Sequence, residues 1–122
     1  MVSTIFCDGG SLNNQKSSRK AYASFKLDNN IIRIPSLGSM TNNEAEYSSL
    51  IEALKYSLKY NKKDIKIHMD SALVVNQVKG NWKVKASHLN KYKLQVLELL
   101  TNFNSWELIW IDNLKMKQIL GH

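Results

Sequence analysis

Apolar and polar residues alternate with period two over residues 2–8. Val2, Thr4 and Phe6 fall on one side, Ile5 and Cys7 on the other, which predicts a β-strand ending at Asp8-Gly9-Gly10. The two glycines are expected to give the chain positive-φ freedom just past the strand. Residues 11–20 are polar and predict a loop. A second strand follows over residues 21–27, a turn at Asp28-Asn29-Asn30, and a third strand over residues 31–34, together a β-hairpin. The period then changes: Tyr47, Leu50, Ile51, Leu54 and Leu58 keep helical spacing. Thr41 and Glu44 form a capping box, so a helix is predicted from Thr41 to about Tyr60.

Residues 64–69 alternate again and predict a short strand ending at Asp70. Ser71 caps a short helix carrying Leu73, Val74 and Val78, with Gly80 at its C-terminal end. A basic connection holds Trp82, Lys83 and Lys85. The next helix begins at about Ser87, with Leu89, Tyr92, Val96, Leu99 or Leu100, and Phe103 on one face. Residues 106–111 predict the last strand and residues 112–122 one short helix. The order β-β-β-α-β-α-α-β-α begins with an antiparallel hairpin and continues by alternation, which requires right-handed crossovers between parallel strands. The expected fold is α/β, a five-stranded mixed sheet flanked by helices, as one domain over residues 1–122.

Composition narrows the partner. A chain of 122 residues with 43% hydrophobic and 22% charged residues can bury a real core. No apolar run reaches membrane-spanning length, and no basic segment with a hydrophobic stretch opens the chain, so a cytoplasmic, monomeric protein without membrane contact is the expectation. Cys7 is alone, which excludes an internal disulfide or a cysteine zinc site and leaves it a small core residue. The net charge of +7 points to a polyanion. All the basic residues except Arg19 and Arg33 are lysine, a bias that an AT-rich genome also produces, so charge does not by itself select nucleic acid.

Three acids sharpen this. The cap accounts for Glu44 but not for Glu46, whose ordinary explanation is attraction to the helix dipole. Asp8 and Asp70 each close a predicted strand. If those strands are parallel neighbours, their ends lie about 4.8 Å apart on one edge of the sheet. The helix from Thr41 runs back against its strand, so its first turns lie over that same edge, where open α/β sheets bind ligands. Any one of these acids could simply cap the element it precedes, as Asp70 would do well. Crowded together, they repel one another unless a cation lies between them. Oxygen ligands on a basic protein suggest Mg²⁺ bound between carboxylates and phosphate. Two such ions about 4 Å apart could hydrolyse a phosphodiester.

The residues carrying these features resemble type 1 ribonuclease H, in the short subgroup without a basic protrusion. Phe6-Cys7-Asp8-Gly9-Gly10, Thr41-Asn42-Asn43-Glu44-Ala45-Glu46 and Met69-Asp70-Ser71 are similar to its three leading motifs, and Val75-Asn76-Gln77 and Gly80-Asn81-Trp82-Lys83-Val84-Lys85 to the segment that follows. The likeness runs through nearly the whole chain, in order. It implies a ribonuclease H-like fold and metal-dependent endonucleolytic cleavage of the RNA strand of an RNA–DNA hybrid, leaving 5′-phosphate and 3′-hydroxyl ends. It further implies two Mg²⁺ (or Mn²⁺) ions with substrate, held by Asp8, Glu46 and Asp70. Gly9, Gly10, Asn42 and Asn43 would lie along the minor groove, where 2′-hydroxyls distinguish RNA. Thr41 resembles the threonine that holds a DNA-strand phosphate, while Trp82, Lys83 and Lys85 match the grip on the DNA strand; for Trp82 a place in the core is the alternative.

The tail departs from the family. An ungapped comparison puts Leu120 where the resemblance expects a fourth metal-ligating aspartate. Imidazole can ligate divalent metals, so His122 is a candidate substitute ligand, with Asp112 and Asn113 as other candidates on the same edge; the alternative is a helix that ends at Gly121 and leaves His122 frayed. The basic residue usual in the loop after the last strand is missing as well. His68 alternates inside a strand and reads as packed; His88 has no motif around it. Other readings are a nucleic-acid-binding domain of this fold with weak or lost catalysis, and an exonuclease or junction resolvase, against which the Thr-Asn-Asn helix start argues.

Overall fold

The structure is a computed structural model describing residues 1–11 and 20–121. Most of the expected polar loop, and His122, lie outside the described residues. The elements follow the predicted order: β1 Ser3–Ser11, β2 Ala21–Leu27, β3 Asn30–Ile34, α1 Asn42–Lys59, β4 Asp64–Met69, α2 Ala72–Val78, α3 Ser87–Leu100, β5 Ser105–Trp110 and α4 Asn113–Leu120. The strands form a five-stranded sheet ordered β3-β2-β1-β4-β5. β1 pairs antiparallel with β2 and parallel with β4, and β4 pairs parallel with β5.

Alternation along β1 sends Ile5 and Cys7 into the main core. There they meet Phe25 and Leu27 of β2, Ile65, Ile67 and Met69 of β4, and the Tyr47-Leu50-Ile51-Leu54 stripe of α1. Burying one such side chain as fully as Leu54 contributes about 2 kcal/mol. α3 supplies Leu89, Val96 and Leu100, so Leu100 rather than Leu99 completes its buried stripe. Tyr47 also donates from its hydroxyl to Gln77 Oε1 at 2.6 Å, a buried bond that ties α1 to α2. α4 packs against β1 and β2 and buries Met116 and Leu120 outside the main cluster.

Several boundaries differ from expectation, and in three of them a neighbouring strand or a turn decides the difference. β1 does not end at Asp8. It continues through Gly9↔Ala23, Gly10↔Tyr22 and Ser11↔Ala21, because β2 still offers ladder partners after β4 has stopped. Neither Gly9 nor Gly10 has positive φ, so the expected backbone freedom is not their role. β5 starts one residue early, since Ser105 pairs with Asp64. α2 is capped at its C-terminus by Lys79, and Gly80 follows it at φ 81°, the left-handed conformation that favours glycine.

Candidate metal centre and substrate face

The sheet register brings the two aspartates together. Phe6 pairs with His68, so two residues further along each chain Asp8 reaches the level of Asp70. β4 ends at Met69, and Trp110 Nε1 donates to the Asp70 carbonyl at 3.1 Å as the chain leaves the sheet. The third acid depends on the α1 capping box: Glu44 N donates to Thr41 Oγ1 at 3.2 Å, and Thr41 N to Glu44 Oε1 at 3.0 Å. With the first turn fixed in this way, Glu46 Oε1 accepts the Gly9 N–H at 2.7 Å. Asp8, Glu46 and Asp70 each offer one ligand oxygen, all within 4.8 Å of one another.

Such crowding is costly for charged acids. Burial, and then the charge of Asp70, push the Asp8 carboxyl up to about 6. Burial, and then the charge of Asp8, push Glu46 up to about 10. One Asp70 oxygen, Oδ2, accepts the Asn113 side-chain amide at 2.5 Å, while the other, Oδ1, is buried with no hydrogen-bond partner. A divalent cation answers both observations: it would neutralise the trio and complete Asp70 Oδ1. These three residues fit such an ion. Cys7, behind them, has its thiol pushed well up by burial and then by the charge of Glu46, and is a neutral core residue.

The carboxylates share a cavity of about 440 Å³ with Gly9, Gly10, Asn42 and Asn43, so the expected minor-groove residues converge on the acids. Close approach of backbone explains Gly9, whereas Gly10 faces only the movable end of the Tyr22 side chain. A Cβ on Gly9 would overlap the Ala45 carbonyl, and one on Gly10 would sit 2.8 Å from the Tyr22 hydroxyl. Asn42 Oδ1 accepts the Ser11 N–H at 2.7 Å, fastening the end of β1 to α1. Asn43 also lines a second groove, of about 580 Å³, with Trp82, Lys83 and Lys85. Trp82 is 48% exposed, which removes its core alternative. Thr41 lines neither cavity; its side chain serves the cap.

Of the candidates for a fourth ligand, His122 lies outside the described residues. Asp112 caps α4, its Oδ1 accepting Lys115 N at 2.9 Å, and Asn113 is the Asp70 partner. Leu120 is fully buried, and its carbonyl accepts Arg33 Nη2 at 2.7 Å. His68 stacks on Phe6 with its Nδ1 3.0 Å from the Ile5 carbonyl oxygen, and is packed as expected. Tyr22 and Lys117, which were not among the sequence candidates, also line the acidic cavity. For Lys117 the signal was available: it falls one helical turn after Asn113.

A family model described as RNase H matches residues 2–122. The chain belongs to the ribonuclease H family. Relatives named ribonuclease HI and RNase H1 place it with type 1. Ribonuclease HI of Halobacterium salinarum is 38% identical over 72 residues, 59% of this chain and 36% of that protein. Bifunctional protein Rv2228c of Mycobacterium tuberculosis is 33% identical over 114 residues, 91% of this chain and 31% of that one. The chain thus spans about a third of the length of these curated relatives. Among solved structures, the N-terminal RNase H domain of Rv2228c has a TM-score of 0.84 at 29% identity, covering 96% of this chain and 86% of that one. RNase H1 of Halobacterium salinarum has a TM-score of 0.79 at 26% identity, covering 96% and 90%. The mixed sheet and its helices are therefore the ribonuclease H fold.

Proposed function

We propose that the protein is a metal-dependent endonuclease that hydrolyses the RNA strand of RNA–DNA hybrids, giving 5′-phosphate and 3′-hydroxyl ends. One observation carries this reading: Asp8, Glu46 and Asp70, from three separate elements, bring ligand oxygens within 4.8 Å of one another. Membership of the ribonuclease H family supports it. Asp8, Glu46 and Asp70 would hold the divalent cations, two with substrate, of which Mg²⁺ or Mn²⁺ suits oxygen ligands. When bound, such cations activate water and neutralise the charge that develops on the phosphate. The protein's own part is placement. Glu46 is held by the Gly9 N–H, and Asp70 by Asn113. Gly9, Gly10, Asn42 and Asn43 line the cavity that holds the acids, where the RNA backbone and its 2′-hydroxyls would be met. Trp82, Lys83 and Lys85, in the adjoining groove, suit the DNA strand. A second reading, a hybrid-binding domain with weak catalysis, is favoured by the buried Leu120, which brings no carboxylate to the cavity.

Cleavage of an end-labelled hybrid with Mg²⁺ or Mn²⁺ decides between them. The expected result is cutting within the RNA strand, abolished in Asp8→Asn and Asp70→Asn while hybrid binding stays measurable. Binding without cleavage by the unaltered chain would favour the second reading.

A further inference from the structure

We propose that Lys117 is a phosphate-contacting residue of this site, its ammonium supplying at the cavity wall a positive charge that draws the scissile region of the RNA strand toward the carboxylates. The inference rests on the ribonuclease reading and adds a residue to it. α4 begins at Asn113, so Asn113 and Lys117, four apart, lie one turn above the other on one helix face. Both line the cavity that holds Asp8, Glu46 and Asp70. Asn113 is anchored on Asp70 Oδ2 at 2.5 Å, which fixes this face of α4 over the acids. Lys117 is exposed, so its long side chain stands at the cavity mouth rather than in the core. Lys115, two residues earlier, is turned about 200° around the helix and does not line the cavity.

The chemistry follows from the charges. A phosphodiester approaching three carboxylates is repelled by whatever part of their charge remains unneutralised, and an ammonium on the cavity wall offsets that repulsion. Among the described residues, α4 gives the cavity one amide and one ammonium but no acid. The same ammonium must also work against cation loading, because it shares the cavity with the ligands. Two opposite effects on one residue follow: help for the polyanion, hindrance for the divalent cation.

The test compares Lys117→Gln, Lys117→Arg and Lys115→Gln in the full chain. Hybrid cleavage is read as kcat/KM, and Mn²⁺ binding is read by calorimetry without nucleic acid. The expected result is a loss of about tenfold or more in kcat/KM for Lys117→Gln, largely restored in Lys117→Arg. Mn²⁺ should bind Lys117→Gln about threefold more tightly than the unaltered chain, with Lys115→Gln changing neither quantity. Cleavage by Lys117→Gln matching that of Lys115→Gln, or unchanged Mn²⁺ affinity, overturns the proposal. An unaltered chain that cleaves no hybrid removes the ribonuclease reading instead, and the Mn²⁺ titration still upholds or overturns Lys117 as a charge facing the carboxylates.

Discussion

The backbone N–H of Gly9 donates to Glu46 Oε1 across 2.7 Å, joining the central strand to the first turns of α1 at the point where the acids meet. The contact exists because Gly9 has no side chain: a Cβ there would overlap the Ala45 carbonyl oxygen. Gly9→Ala must therefore push α1 away from β1. The expected cost is about 1–3 kcal/mol in urea denaturation, together with loss of hybrid cleavage. Normal cleavage by a normally stable Gly9→Ala protein would show that this close approach does not matter.

The carboxyl trio also sets a pH dependence. Asp8, at about 6, and Glu46, at about 10, hold protons more tightly in the folded chain than an ordinary carboxylate does. The folded state therefore binds more protons than the unfolded one across that window. Their contribution to stability is full below about pH 4 and is lost progressively as pH rises through about 6 for Asp8 and toward about 10 for Glu46. In chelator, the melting temperature should fall between about pH 5 and pH 8 from this source, and Mg²⁺ should restore it most at the higher pH. Glu46→Gln should flatten the fall in a calorimetric pH series. A variant retaining the full slope would remove Glu46 from the cause.

Thr41 aligns the helix that carries Glu46. Its hydroxyl accepts the Glu44 N–H at 3.2 Å. Thr41→Ala should cost about 1 kcal/mol in chemical denaturation, with Thr41→Ser keeping most of it. Equal losses in both variants would mean that the methyl group, not the cap, is what counts.

Trp82 should separate binding from folding. Half of it faces solvent, in the groove with Lys83 and Lys85. Trp82→Ala is expected to change stability by less than about 0.5 kcal/mol. Its KM for a hybrid should rise about tenfold, the loss of one aromatic stacking contact. A large stability loss with unchanged KM would return Trp82 to a structural role.

Much of this was written in the chain itself. The helical stripe of Tyr47, Leu50, Ile51 and Leu54 gave α1, and its polar start at Thr41 and Glu44 gave the cap. The acid trio was legible because Asp8 and Asp70 follow period-two runs and Glu46 falls in the first turns of the helix yet outside its capping box, all three being facts of spacing. What failed was the reading of Gly9-Gly10, since local sequence cannot tell a glycine needed for φ from one needed for space. At Gly9 that space is taken by Ala45, distant in the chain. Trp82 was undecided for the same reason: nothing within a few residues of it fixes its exposure. Lys117 keeps helical-turn spacing with Asn113, but that spacing points to the acids only once α4 is held over the cavity by Asn113 and Asp70.

The central claim is that Asp8, Glu46 and Asp70 together hold a divalent cation. A crystal of this protein soaked in Mn²⁺ and measured at the manganese absorption edge tests it most directly. An anomalous peak should touch all three carboxylates, with Asp70 Oδ1 among its ligands, and should be lost in Asp8→Asn. No peak between these residues at millimolar Mn²⁺, with the three acids still closed on one another, would contradict it.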